Sequence, residues 1–279
     1  MSRVGLLVHS GRPAALKLGS EVASWLVAGG HEVSAPASEA ASLGLGVTPD
    51  DDSAPLDLVV AIGGDGTVLR AVRRGYSSGA AVLGVNLGQL GYLAAVEPGG
   101  WTEALEAFFA GRHGIEERLM VTGRVAPGGS EPHPALNELV IEKEASGRTV
   151  RLGVSIDGEY FTSYVADGII VATPTGSTAY SLSARGPVVA PAHRALLFTP
   201  VSPHMLFDRS LVLGPESVVE VSVMGDREAV LSVDGEHDCH LPVGSTVTIR
   251  AAEHPARFVT FGGRNFHQIL KTKFGLNDR

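Results

Sequence analysis

The chain has a single cysteine, four lysines and no long apolar run, and each shortage removes a class of protein. Cys239 forms no disulfide within the chain and no cysteine-based metal cluster, which suits a reducing compartment. The lysines are Lys17, Lys143, Lys271 and Lys273, so contacts to phosphate fall to arginine forks and main-chain amides. No apolar run approaches the roughly 18 residues of a membrane span. The apolar part of the amino-terminal stretch is also too short for a secretion signal. A cytoplasmic protein with no membrane partner is therefore expected. The net charge of −8 is equally restrictive, because nucleic-acid binders present a basic face. No nucleic-acid partner is expected, and an anionic ligand needs local arginines or a metal to offset that charge. Gly-x-x-x-x-Gly-Lys-Ser/Thr is missing, which excludes a P-loop NTPase. The ten histidines show no zinc-ligand spacing, and no Gly-x-Ser-x-Gly surrounds Ser177 or Ser181 to mark a nucleophilic serine.

What is present is a chain of 279 residues, 44% hydrophobic, large enough for one big domain or two modest ones. Its first part alternates strand and helix: a strand over 4–8, a helix over 14–27 closed by Gly29-Gly30, and strands over 31–34, 58–62 and 81–86. Helices are expected over 67–74 and 102–110, and β-α-β alternation implies a parallel sheet. Residues 38–57, acidic and rich in turn formers, read as a solvated loop. Composition shifts near Arg118, beyond which short valine- and isoleucine-rich runs recur between turns and imply an antiparallel sandwich. These runs include 120–125, 136–142, 150–156 and 258–261, with one helical interruption over 177–184. The fold class is thus α/β, a Rossmann-like amino-terminal domain (1–118) followed by an all-β sandwich (119–263). A carboxy-terminal helix, about 264–279, is expected to return to the first domain.

The most informative run is Leu58-Val-Val-Ala-Ile-Gly-Gly-Asp-Gly-Thr67, an apolar strand that delivers one acid, Asp65, among three glycines. Gly63, Gly64 and Gly66 are suited to φ > 0 and to amides that face an anion, and with Thr67 they form a candidate phosphate loop. Ligands of parallel sheets sit beyond the carboxyl ends of strands, and the helix that starts near Thr67 adds N–H donors there. Arg70, one turn on, either faces the same rim or is an ordinary surface arginine. A second stretch, 167–183, clusters six hydroxyls (Thr173, Thr175, Ser177, Thr178, Ser181, Ser183) with Tyr180 around a Pro-Thr-Gly turn. A helix cap needs one hydroxyl, whereas six suit a nucleotide. Asn137-Glu138 opens a strand and offers an amide and a carboxylate, while Asp234-Gly235 reads as a hairpin turn and His204 as a turn residue.

Taken in order, Gly63-Gly-Asp-Gly-Thr67, Asn86-Leu-Gly-Gln-Leu-Gly-Tyr-Leu93, Asn137-Glu138, Asp167-Gly168, Thr173-Pro-Thr-Gly-Ser-Thr-Ala-Tyr-Ser-Leu-Ser183 and Pro203-His204 resemble the bacterial NAD kinases. The first motif alone is shared with lipid kinases of the diacylglycerol and sphingosine type; the hydroxyl-rich segment is far more specific. The resemblance implies an α/β domain and a β-sandwich with NAD bound at their junction. It further implies transfer of the γ-phosphate of ATP, or of polyphosphate, to the adenosine ribose 2′-hydroxyl of NAD, with Mg²⁺ or another divalent cation. Asp65 is then the proton acceptor or a metal ligand, an alternative that stays open. Contacts to NAD are implied for Asp65, Gly66, Arg70, Asn137, Glu138, Arg148 and Asp167. They are implied also for Thr178, Ala179, Tyr180, Ser181, Leu182 and Ser183. Such proteins self-associate, so a homodimer or homotetramer is implied as well. The competing readings are a lipid kinase and a non-catalytic nucleotide sensor. The first lacks a basic amphipathic stretch in this chain, and the second does not account for an intact Asp65.

Overall fold

The structure, a computed structural model, describes residues 1–51, 54–88, 91–129, 133–145, 147–262 and 266–276. Gln89 and Leu90 of the second glycine loop lie outside the described residues, as do 52 and 53 of the acidic segment and 264, 265 and 277–279 of the expected terminal helix. The chain divides into two units, Met1–Glu117 with Ala256–Arg279, and Arg118–Pro255.

The first unit opens with β1 (Arg3–Val8), α1 (Pro13–Ala28), β2 (Glu32–Ala35), α2 (Ala37–Leu43), β3 (Val47–Pro49) and β4 (Leu58–Gly63). It continues through α3 (Asp65–Tyr76), β5 (Ala81–Asn86), α4 (Trp101–Phe109) and β6 (Gly114–Arg118). Proline at the first turn starts α1, and Gly30 at φ 78 follows its end. Its buried residues Ala15, Gly19, Val22, Ala23 and Leu26 fall on one face at helical spacing. The strands β3, β2, β1, β4 and β5 run parallel in that order. All six residues of β4 and of β5 are buried, as expected of central parallel strands covered on both faces.

The expected loop over 38–57 is corrected by α2 and β3. Two of its charges are absorbed rather than solvated, Glu39 at 3% exposure and Asp50 in a buried ion pair with Arg74, while Asp51 and Asp57 remain exposed. Counter-ions on α3 turn what reads as a solvated charge run into part of the sheet's edge.

The second unit holds β7 (Val121–Ala126), β8 (His133–Ala135), β9 (Glu138–Lys143), β10 (Val150–Ile156), β11 (Glu159–Ala166) and β12 (Gly168–Ala172). After a 3₁₀ turn (Thr175–Thr178) come α5 (Tyr180–Ser183), β13 (Leu196–Val201), β14 (Leu211–Leu213), β15 (Val219–Met224), β16 (Ala229–Val233), β17 (Glu236–Leu241) and β18 (Thr246–Ala251). Two six-stranded sheets, ordered β11-β10-β15-β18-β7-β8 and β14-β13-β12-β9-β16-β17, share one core. The period of two is visible in it. Leu139, Ile141, Ile169, Val171, Leu196 and Phe198 enter that core, while Val140, Ile170, Ala172 and Leu197 pack on the opposite face with Ala184 and Val189. Burying each valine, leucine, isoleucine or phenylalanine among them is worth roughly 1.5–3 kcal/mol.

The chain then returns as β19 (Ala256–Thr260) and α6 (Phe266–Lys273). The sequence reads 258–261 as a sandwich strand, yet β19 lies in the seven-stranded sheet between β5 and β6, parallel to β5. A valine- and phenylalanine-rich run specifies a strand but not its sheet. The terminal helix belongs to the first unit, as expected. No helix among the described residues is long and apolar enough to cross a membrane.

Candidate active site

In the first unit the site is built at the carboxyl end of β4. The strand ends at Gly63, Gly64 caps α3 with φ −101 and ψ −171, and Asp65 is the first helical residue. Thr67 and Val68 donate their N–H groups to the Gly64 carbonyl at 3.0 and 3.3 Å. None of Gly63, Gly64 and Gly66 adopts the left-handed conformation expected from the sequence. Gly63 is required for space instead: a Cβ there would collide with the Thr67 hydroxyl, whereas none of the described residues lies within 4 Å of a Cβ placed on Gly64 or Gly66. The open side of the loop lies beside the positive end of α3.

The Asp65 carboxylate is fixed by the second glycine loop. It accepts the Tyr92 N–H at 3.0 Å on one oxygen and the Leu93 N–H at 3.1 Å on the other. Gly91 permits this approach, since a Cβ there would strike the carboxylate. Tyr92 in turn carries Lys273 of α6 over its ring, 4.2 Å from the centroid. Burial, and then Asp65, push the Tyr92 phenol above its ordinary value. Beside the loop is a depression of about 340 Å³ lined by His9, Ser10, Arg12, Gly64, Gly66, Thr67 and Arg70. Arg12 donates to the Leu87 carbonyl at 2.7 Å and Arg70 to Glu39 at 2.6 Å. Both arginines thus stand beside the loop in a chain whose net charge is −8.

In the second unit, Asn137 and Glu138 are organised by a residue the sequence gives only as a turn. Asp234, at φ 49 beside Gly235 at φ 81, forms the hairpin between β16 and β17. Its carboxylate accepts the N–H groups of Leu136 (2.9 Å), Asn137 (2.7 Å) and Glu138 (3.2 Å). Glu138 is 4% exposed, and its Oε2 is buried without a hydrogen-bond partner among the described residues. Burial first, and the Asp234 charge second, push its carboxyl up to about 8, against the opposing N–H of Tyr180. The hydroxyl-rich segment lies directly on this pair. Thr173 donates its N–H to the Asn137 carbonyl at 2.8 Å, and a Cβ on Gly176 would collide with the Asn137 main chain.

The six hydroxyls divide. Thr173 bonds Leu136 and Gly176, Ser177 bonds Val189, and Ser181 lies buried within reach of Thr199 at 3.4 Å. These three act inside the fold, and the Thr175 hydroxyl is also buried. Thr178 and Ala179 are half-buried, Leu182 likewise, and Tyr180 and Ser183 are exposed. Burial raises the Tyr180 phenol, reinforced by Glu142 and Asp167. Asp167 pairs with Lys143 at 2.5 Å. Arg148 is exposed and, with Lys143 and Arg227, lines a depression of about 170 Å³. The structure thus brings Asn137, Glu138 and Tyr180 together. His204 is exposed, with its main chain tied to Val165.

A glycine loop at the rim of a parallel sheet, with one immobilised carboxylate and flanking arginines, has the form of a phosphate-handling site. Comparison with known proteins narrows the class. Residues 4–113 match the ATP-NAD kinase N-terminal domain and residues 136–261 the ATP-NAD kinase C-terminal domain. The NAD kinase of Heliobacterium modesticaldum is 39% identical over 98% of both chains, and that of Geobacter sulfurreducens 36% identical over 100% of both. Among solved structures, yeast NADH kinase complexed with NADH superposes with a TM-score of 0.91 at 25% identity, over 100% of this chain and 89% of that one. An Archaeoglobus fulgidus NAD kinase in complex with ATP shares the fold, with a TM-score of 0.70 at 23% identity over 98% of this chain and 97% of that one. The chain belongs to the ATP-NAD kinase family.

Proposed function

We propose that this NAD kinase moves the γ-phosphoryl group of ATP onto the adenosine ribose 2′-hydroxyl of NAD with Asp65 as proton acceptor. The new bond joins the 2′-oxygen to the γ-phosphorus, the bond from that phosphorus to the β,γ-bridging oxygen breaks, and the products are NADP and ADP. Carboxylates are weak bases toward alcohols, so the proton reaches Asp65 late, as the new bond forms. The observation that carries this role is the clamp on Asp65 by the Tyr92 and Leu93 amides, which fixes the carboxylate in place at the loop. Gly63, Gly64, Gly66 and Thr67 form the phosphate loop.

In the second unit, Asn137, Glu138, Asp167, Tyr180 and the main chain of 178–183 hold the dinucleotide, with Arg148 available to its phosphates. Among the described residues, no three or more His, Cys, Asp or Glu side chains are grouped to hold a metal ion. A Mg²⁺ there would be carried mainly by the donor's phosphates and water, with Asp65 the loop carboxylate that could hold it. Such an ion would offset phosphate charge. Self-association into a dimer or tetramer, implied by the family resemblance, belongs to the same reading and is measured by light scattering. The test incubates purified protein with Mg²⁺, NAD and either ATP or inorganic polyphosphate and follows NADP. Formation with ATP is expected, and absence of NADP with both donors overturns the reading.

A further inference from the structure

Arg70 is anchored from beneath by a residue of the segment that reads as a loop. Glu39, on α2, is buried to 3% exposure and uses both carboxylate oxygens: one accepts the Val8 N–H at 2.9 Å, the other the Arg70 guanidinium at 2.6 Å. Through Val8 the carboxylate is fixed to β1, the strand beside β4. Arg70 adds a second, longer bond to the Val8 carbonyl at 3.4 Å, and its side chain remains 37% exposed in the depression with Gly64, Gly66 and Thr67.

The pair is asymmetric. A buried ion pair kept only to hold helix to sheet is replaceable by apolar side chains at little cost. Here one member is half open to the phosphate loop. The guanidinium carries five N–H donors in a fixed fork, and the two bonds beneath leave the others for a ligand. A free arginine spreads over many rotamers and loses about 2 kcal/mol of rotamer entropy when it is held. Glu39 has already settled that orientation, while its negative charge weakens the field of Arg70. Its gain is therefore directional.

We propose that Glu39 is a positioning residue that presents the Arg70 guanidinium to a phosphate group bound at the glycine loop. The phosphate belongs either to the triphosphate of the donor or to the pyrophosphate of NAD. This rests on the kinase reading above, and the wild-type assay reports on that reading separately. The test measures KM for ATP, KM for NAD and kcat in four proteins: wild type, E39A, R70A and E39A/R70A. E39A should raise KM for the substrate whose phosphate Arg70 grips by about 5- to 10-fold, the scale of one newly freed side chain, with kcat changed less. The substrate whose KM moves identifies the phosphate. In the R70A background the same substitution should change KM less than about 2-fold, because a residue that acts through another has nothing left to position. E39Q, nearly isosteric, loses one of the two bonds and should fall between wild type and E39A, so it carries the cycle with R70A should E39A not fold. Equal effects of the Glu39 substitution with and without Arg70, or unchanged KM for both substrates, overturns the proposal even while the wild type makes NADP.

Discussion

The Asp65 carboxylate and the Leu93 main chain meet at 3.1 Å across the two glycine loops, and the neighbouring Tyr92 amide holds the other oxygen. The acid is therefore placed by a loop that follows the next strand, not by its own helix. Removal of the acid and displacement of the acid become separate experiments.

Asp65→Asn keeps the size of the side chain and removes its ability to take a proton. Turnover should fall at least about 100-fold while KM for NAD stays within several-fold. Steady-state kinetics on the purified variant checks this, and wild-type turnover would remove Asp65 from the proton path.

Gly91→Ala leaves the acid in the sequence but sets a methyl group against it. A displacement of about 1 Å at a reacting group costs on the order of 100-fold, so kcat should drop by about 10- to 100-fold. A melting curve recorded beside the kinetics separates this from unfolding, and a fully active Gly91→Ala would show that the clamp is dispensable.

Glu138 should make stability fall as pH rises. Its carboxyl is pushed from 4.5 to about 8 in the folded chain, so between these values the folded state binds more protons than the unfolded one. The contribution is complete below the lower value and lost as pH climbs through the upper one. Glu138→Gln removes the titration, and its melting temperature should rise relative to wild type between pH of about 5 and 9. Parallel curves for the two proteins would mean that Glu138 is ionised throughout.

Asp234→Ala strips the acceptor from three consecutive amides, those of Leu136, Asn137 and Glu138. Unpaired part-buried donors cost about 1–3 kcal/mol each, so a total loss on the order of 3 kcal/mol is expected in urea denaturation. Since these amides place Asn137, KM for NAD should rise as well. An unchanged denaturation midpoint would assign the hairpin no role in holding Asn137.

What was legible in the sequence is what local chemistry signals. The apolar run of β4, the glycines after it and the hydroxyls of 173–183 announce themselves within a few residues. Partnerships over distance do not. Glu39 reads as solvated because Arg70 is 31 positions away, and Asp234 reads as a mere turn because Asn137 is 97 positions away. The positive φ expected at Gly63, Gly64 and Gly66 failed for a related reason: glycine marks either unusual dihedrals or missing bulk, and only the neighbours decide which. The same holds for Ser181, whose hydroxyl the sequence offers to a ligand and the fold turns toward Thr199.

The position of β19 has a consequence for biosynthesis. The slot between β5 and β6 is filled by a strand that leaves the ribosome only after the entire second unit has been made. Until then the nascent first unit exposes two strand edges with unsatisfied amides and carbonyls, which invite pairing with other chains. Synthesis interrupted after Thr67 but before Ala256 thus yields a chain with its phosphate loop translated and its sheet unclosed. Chaperones that shield open strand edges have their longest task on this half of the molecule, and premature termination products should be the forms cleared first by proteolysis.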